Sequence, residues 1–283
     1  MKHSPALLLF LGLLLFLPAT AQAEQIERTF PAPAGTALEV RNLNGQLTLH
    51  SWNQAQVRIL TTRSSLAVET HFEQTANRIH VHTHVLQTSA PVSDRTVDYE
   101  IWAPPDIRLQ LYLESGTLRV ENFTNDVTIE TVAADVRLRN LSGHTTIQTL
   151  NGSVVAERCS GRLEATSISG SLYFSQAQSR RTVAHTTSGD IIYEGDLQPG
   201  GSYEFISHEG LIDLRLPATA SFELNAHSVE GEVTVADDFP FKTRGHGRPP
   251  RPSTGSSLLG TVHTGAAMIR ATSFSGTIRV RKQ

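Results

Sequence analysis

Residues 78 to 84 read RIHVHTH, which sets His80, His82 and His84 at alternate positions. Alternate side chains of an extended strand share a face, so the three imidazoles stand together while Ile79, Val81 and Val85 face the other way. Neutral imidazoles in this arrangement can hold a Zn, Cu or Ni ion once a further ligand arrives from a neighbouring strand. No residue declares itself as that ligand and no cysteine lies nearby, so a solvated polar face is the plainer alternative. A second chemistry, polysaccharide cleavage, needs carboxylates or basic residues converging on one groove. Asp213 and Glu164 are candidate acids, but the repeat register keeps them apart.

The elements that must position these groups are repeats. From residue 121 to 174 the chain falls into gapless eighteens, ENFTNDVTIETVAADVRL, RNLSGHTTIQTLNGSVVA and ERCSGRLEATSISGSLYF, each made of two nines. Gly143, Gly152, Gly161 and Gly170 mark the frame, with Asn125 and Ala134 as substitutes. Two residues after each mark stand Val127, Val136, Thr145, Val154, Leu163 and Leu172; four after, Ile129, Leu138, Ile147, Ala156, Ala165 and Phe174; at the plus-seven position come Phe123, Val132, Leu141, Leu150, Cys159 and Ile168. Polar residues alternate with the first two sets, which is the period of a half-buried strand. Glycine suits the corners because it adopts positive φ without a Cβ clash. The frame continues through Gly189, Gly210, Gly231 and Gly276, and upstream through Gly45 and Gly116. The pattern predicts an all-β, single-stranded parallel β-solenoid of roughly eight to ten rungs, its apolar columns stacked inside.

That frame defines the remaining candidates. Thr131, Thr149, Ser167, Thr186, Ser207, Ser228 and Ser273 share one position, and hydroxyls so placed satisfy corner backbone groups, a ligand role being the alternative. The outward position of the second strand in each rung runs Arg137, Val155, Tyr173, Ile192, Asp213, Thr234 and Arg279. Val155, Tyr173 and Ile192 are therefore expected to form an exposed apolar strip, able to stack on a sugar or a peptide, or else to be covered by a loop. Aspartates follow only some corners, Asp126, Asp135 and Asp190, which is not the regular carboxylate supply of a calcium-binding β-roll. Cys159 falls in the apolar column and is expected to be an inert buried thiol.

The chain opens with Lys2, an apolar run from Ala6 to Leu17, Pro18 and the small-x-small sequence Ala21-Gln22-Ala23, the pattern of a secretory signal cut after Ala23. The mature chain is then 24–283, a single solenoid domain with no membrane span. One cysteine rules out an intramolecular disulfide. Taking Lys2 from the 24 Lys and Arg leaves 23 against 27 Asp and Glu, a mixed and mildly acidic surface that gives nucleic acid no basic patch. Two regions break the repeat. Residues 51–106 hold longer alternating strands expected to cover the first turn, and 235–260, rich in Pro, Gly, Ser and Arg, reads as a flexible insertion loop or flap. Arg279, Arg281 and Lys282 in the last strand are expected to blunt an exposed edge.

The opening LEVRNLNGQLTLHSW, the bridge VDYEIWAPPDIRLQLYLESG, the serial SG corners and the closing IRATSFSGTIRV together resemble the bacterial putative-adhesin family of β-strand-repeat envelope proteins, over Ala37 to Val280. The resemblance implies a right-handed β-helix outside the cytoplasm. That family has no established activity or catalytic residues, so none is carried over. The expected function is an exported, non-enzymatic surface for an envelope or extracellular ligand, glycan or protein, in the periplasm or at the cell surface, with no cofactor. The alternatives are a polysaccharide-active enzyme and an end-to-end polymerising scaffold.

Overall fold

The computed structural model describes residues 24–244 and 255–283; the expected signal segment and the centre of the 235–260 insertion lie outside them. In chain order the strands are β1 (Glu24–Pro31), β2 (Ala37–Ser51), β3 (Gln56–Arg63), β4 (Val68–Thr75), β5 (Arg78–Val85), β6 (Val97–Ala103), β7 (Arg108–Glu121) and β8 (Val127–Arg139). They continue as β9 (His144–Asn151), β10 (Val154–Glu157), β11 (Arg162–Ser167), β12 (Leu172–Ala177), β13 (Arg181–Thr186), β14 (Ile191–Gly195), β15 (Ser202–Ser207) and β16 (Ile212–Leu216). The last are β17 (Phe222–Ser228), β18 (Val233–Val235), β19 (Phe241–Thr243), β20 (Ser256–Val262), β21 (Ala267–Ser273) and β22 (Ile278–Lys282).

Two faces arise because each rung bends at a corner. Along the axis, face one runs β4, β5, β2, β7, β8, β9, β11, β13, β15, β21, β17, β20, β19. Face two runs β1, β3, β6, β2, β7, β8, β10, β12, β14, β16, β22, β18. The long strands β2, β7 and β8 belong to both faces. All pairings between rungs are parallel; β1, β3, β4, β19 and β20, which pair antiparallel, lie only at the ends. The rungs, in axial order, are β5/β6, β2, β7, β8, β9/β10, β11/β12, β13/β14, β15/β16, β21/β22 and β17/β18. This is the parallel β-solenoid that the nine-residue frame predicts.

Axial order departs from chain order at both ends. The chain leaves β2, builds β5/β6 on the outer side and returns to lay β7 on the inner side. At the other end β17/β18 is placed last but one in sequence and outermost in space, and β21/β22 closes the gap between it and β15/β16. The final strand is consequently interior, paired on both sides, which corrects the expectation that Arg279, Arg281 and Lys282 blunt an open edge. The insertion 235–260 is likewise structured where it is described. Phe241–Thr243 and Ser256–Val262 pair with each other, and the latter runs along β17 as an added strand of face one.

The core is a set of vertical columns. Val136, Val154 and Leu172 are fully buried and superposed, as are Leu138, Ala156 and Phe174. The column seven residues after each mark divides, however. Phe123, Leu141 and Cys159 are buried, whereas Leu150 and Ile168 are 44% and 51% exposed. The two corners of a rung are built differently, which a single nine-residue frame cannot express. One corner carries left-handed Asn122, Asn140, Arg158 and Gln176, with φ of 65, 53, 51 and 51°. Such a residue turns the next side chain inward, and asparagine tolerates the conformation best among these types. Asn140 donates to Asn122 at 2.8 Å and Arg158 to Asn140 at 2.9 Å, extending the corner as a ladder.

At the other corner the hydroxyl column turns inward. Thr131, Thr149, Ser167, Thr186, Ser207, Ser273 and Ser228 are all at most 5% exposed. The Ser167, Thr186, Ser228 and Ser273 oxygens accept the backbone N–H three residues on, from Gly170, Gly189, Gly231 and Gly276, at 2.8 to 3.1 Å. The Thr186 and Ser228 hydroxyls in turn donate to the corner carbonyls of Gly170 and Gly276 on neighbouring rungs. These are the structural bonds anticipated for the column. Leu113 interrupts the column on β7, and beyond it the register reaches Asn42 and Thr83 in the first rungs, where the Thr83 hydroxyl donates to the Asn42 amide oxygen at 2.9 Å.

Candidate functional site

Antiparallel pairing of β4 with β5 puts three cross-strand pairs on one outward face: Glu69 opposite His84, His71 opposite His82, and Glu73 opposite His80. His71, His82 and His84 form a cluster, with ring centres 5.3 Å (71 to 82), 4.9 Å (71 to 84) and 4.6 Å (82 to 84) apart. The trio His80, His82 and His84 does not gather. Residues four apart on a strand are separated by about 13 Å, too far to share one ion. His80 turns instead to Glu39 of β2, its Nδ1 lying 3.3 Å from the carboxylate. His71 was not singled out in the sequence, because the pairing of THFEQT with RIHVHTH is set by the tight turn at Ala76-Asn77, where Ala76 has φ 45°. Burial lowers the pKa of His82, and the neighbouring imidazoles His84, His71 and His80 lower it further. Beside the cluster a groove of about 470 Å³ is lined by Arg41, Leu43, His80, His82, His84 and Tyr112 among others.

On face two, Val155, Tyr173 and Ile192 are superposed on β10, β12 and β14 and half-buried. The described parts of the 235–260 insertion sit at the outer end of the solenoid, against β22 and β17, and do not lie over them. Arg137 flanks one end. At the other, Asp213 follows Ile192, and then Arg279 and Thr234, an order that reverses the sequence because β22 precedes β18. Asp213 is 2% exposed despite its outward position. Burial pushes its carboxyl up, but Arg281, donating through two nitrogens at 2.9 and 2.7 Å, and Arg215 at 2.9 Å outweigh this and hold it below the usual range. Arg215 also reaches Glu194 at 3.5 Å, to which the Tyr173 hydroxyl donates at 3.4 Å. The strip is therefore bounded by an ion-paired network. Glu164 is held by Arg162 on face one, so the two acids named in the sequence do not converge.

A second apolar feature is visible only in three dimensions. The residue after each buried hydroxyl faces outward at the corner, and in axial order the column reads Val132, Leu150, Ile168, Thr187, His208, Phe274 and Val229. Phe274 and Val229 are 44% and 42% exposed, and the His208 ring meets Phe274 edge-on at 4.8 Å. With rungs about 4.8 Å apart the ridge is about 29 Å long.

The remaining candidates have structural duties. Of the aspartates that follow corners, Asp135 and Asp190 accept backbone N–H groups of Ser153 and Leu211 on the adjacent rung, at 3.0 and 2.8 Å, as Asp98 does from Gln46, and Asp126 lies 4.0 Å from Arg108. Cys159 is buried, which pushes its thiol up to about 11, well away from nucleophilic reactivity.

A parallel β-solenoid with antiparallel strands at three of its four sheet ends, an imidazole cluster at one end and an apolar ridge along a corner is the class these features define. The chain belongs to the Toastrack DUF4097 family, whose sequence pattern matches residues 22–281. No curated protein matches it. Among solved structures, a putative adhesin from Bacteroides fragilis is 10% identical with a TM-score of 0.52, over 93% of this chain and 99% of that one. A putative adhesin from Parabacteroides distasonis is 8% identical with a TM-score of 0.48, over 93% and 98%. A putative lipid binding protein from the same species is 9% identical with a TM-score of 0.35, over 90% and 96%. At these identities the likeness to the first is one of fold. No helix among the described residues is long and apolar enough to cross a membrane.

Proposed function

We propose that the protein is an exported, adhesin-like binding surface of the cell envelope without catalytic activity, and that its partner, a protein or a glycan, docks along the corner ridge and the adjoining strip. The observation that carries this reading is the ridge. Isolated exposed apolar residues are ordinary, but Leu150 and Ile168 on adjacent rungs, and Phe274 and Val229 on another adjacent pair, form two apolar patches on one line, joined through Thr187 and His208, that the fold does not need to expose. Tyr173 on the neighbouring face adds an aromatic ring with a hydrogen-bonding tip, a combination suited to sugars and peptides alike. The two acids that might have served glycoside chemistry are instead tied to arginines.

The experiment is retention of solubilised envelope components by the immobilised chain, compared with Ile168→Lys/Phe274→Lys and Tyr173→Ala. Bound partner is expected to fall by about tenfold in the double variant, which removes one contact from each apolar pair, while circular dichroism stays unchanged. Equal retention by all three proteins overturns the ridge, and turnover of any polysaccharide by the purified chain overturns the non-catalytic reading.

A further inference from the structure

We propose that His71, His82 and His84, with Glu69 as the oxygen donor, form a binding site for a divalent late first-row metal ion, zinc above all. The argument begins with spacing. Three imidazoles bound to one tetrahedral zinc through nitrogen at about 2.0 Å put their ring centres about 5 Å apart. The separations here are 5.3, 4.9 and 4.6 Å. That coincidence has a structural origin: His71 and His82 face each other across an antiparallel pair, and His84 is the next same-face residue along β5. A directly opposed residue and the next one along are the closest neighbours a sheet face provides.

The fourth donor comes from the same grid. Glu69 is opposite His84 and two residues from His71, and its carboxylate already lies 3.2 Å from the His71 Nε2. Three nitrogens and one carboxylate oxygen are a tetrahedral, borderline-soft set, which suits zinc and excludes magnesium or calcium as the preferred ion. In the present rotamers no three donors among the described residues converge on a point. The rings meet one stacked and two edge-on, so convergence requires rotation about the side-chain torsions. His71 and Glu69 are 47% and 48% exposed, and such rotation moves no core atom.

Location gives the ion a consequence. β4 is the outermost strand of face one and its only ladder partner is β5, with the Phe30–Phe72 stack and the Gln74 bond to the Pro31 carbonyl as its side-chain ties to β1. Metal bridging the two strands would clamp that edge, and because the ion binds the folded pair it would raise stability by mass action. His80, engaged with Glu39, stays outside the coordination sphere.

The test uses the mature chain without a histidine tag. Zn²⁺ titration by calorimetry is expected to give one ion per chain, and Co²⁺ is expected to give the intense visible bands of a tetrahedral complex. His71→Asn and His82→Asn should each weaken Zn²⁺ binding by about tenfold or more, as loss of a ligand does, with His80→Asn near wild type. All three substitutions are on an outward face, and unchanged far-ultraviolet dichroism verifies the fold. Absence of saturable binding at micromolar Zn²⁺, an octahedral Co²⁺ spectrum, or equal weakening by His80→Asn overturns the site.

Discussion

The glycines show how a residue's reason can differ from its usual one. Gly161 combines a positive φ, 82°, with close approach to a carbonyl of the preceding rung, but Gly170 has an ordinary backbone and is required for the second cause alone. A Cβ there would lie 1.8 Å from the carbonyl oxygen of Gly152 on the preceding rung. The same contact recurs from Gly210 to Gly276 and from Gly276 to Gly231, following axial rather than chain order. Gly170→Ala is expected to cost more than about 2 kcal/mol, since the obstacle is paired backbone and cannot yield. Gly200→Ala, at φ 73° in open space, should cost only about 1 kcal/mol. Chemical denaturation compares them, and equal losses would mean that inter-rung approach is not the constraint. The recurrence of these glycines was legible in the sequence; its cause was not, because the obstructing carbonyl belongs to another turn. The hydroxyl column was legible for the opposite reason, since Ser167 and Gly170 meet within one corner, three residues apart.

At the scale of elements, strict eighteens specify which strands stack, and β8 through β12 follow the frame without exception. Order at the ends was illegible because it depends on chain excursions that carry no period. Thirty-odd residues separate β18 from β21, and nothing in their composition says that the returning strand enters between β15/β16 and β17/β18 rather than beyond them. His71 was hidden in the same way, by a strand outside the repeat. The inserted rung makes the C-terminal end interdependent: β17 has β21 on its inner side, and Leu224 and Ile269 are both fully buried. In a solenoid each rung contacts only its neighbours, so damage should stay local. A chain ending at Gly265 is expected to lose amide exchange protection throughout β17, β18 and β20 while β2, β7 and β8 keep theirs. Hydrogen-exchange mass spectrometry reads this directly, and protection of β17 in the truncated chain would show that β20 alone holds it.

For the whole molecule, the physical problem of a stacked fold is that its ends offer unpaired parallel edges to the next copy. Here every end finishes in something other than a full parallel rung. Face one ends on antiparallel β4 and on the three-residue β19, and face two on antiparallel β1 and on the equally short β18. β1 pairs along the whole length of β3, carries exposed Glu24, Glu27 and Arg28, and stops at Pro31, which cannot donate a ladder bond. Two of its charges are also fixed to β3, Glu27 by Arg58 and Glu24 by Arg63. Such an end opposes the polymerising-scaffold alternative and fits a discrete binding surface. Removing the cover should convert one into the other: a chain beginning at Ala32 leaves eight residues of β3, QVRILTTR, with a free edge over the buried Val57 and Ile59. That variant is expected to associate with rising concentration in light scattering while the chain beginning at Glu24 keeps a constant mass. If both keep the same mass, β1 is not what prevents stacking, and the short edge at β18 and the hairpin at β4 suffice.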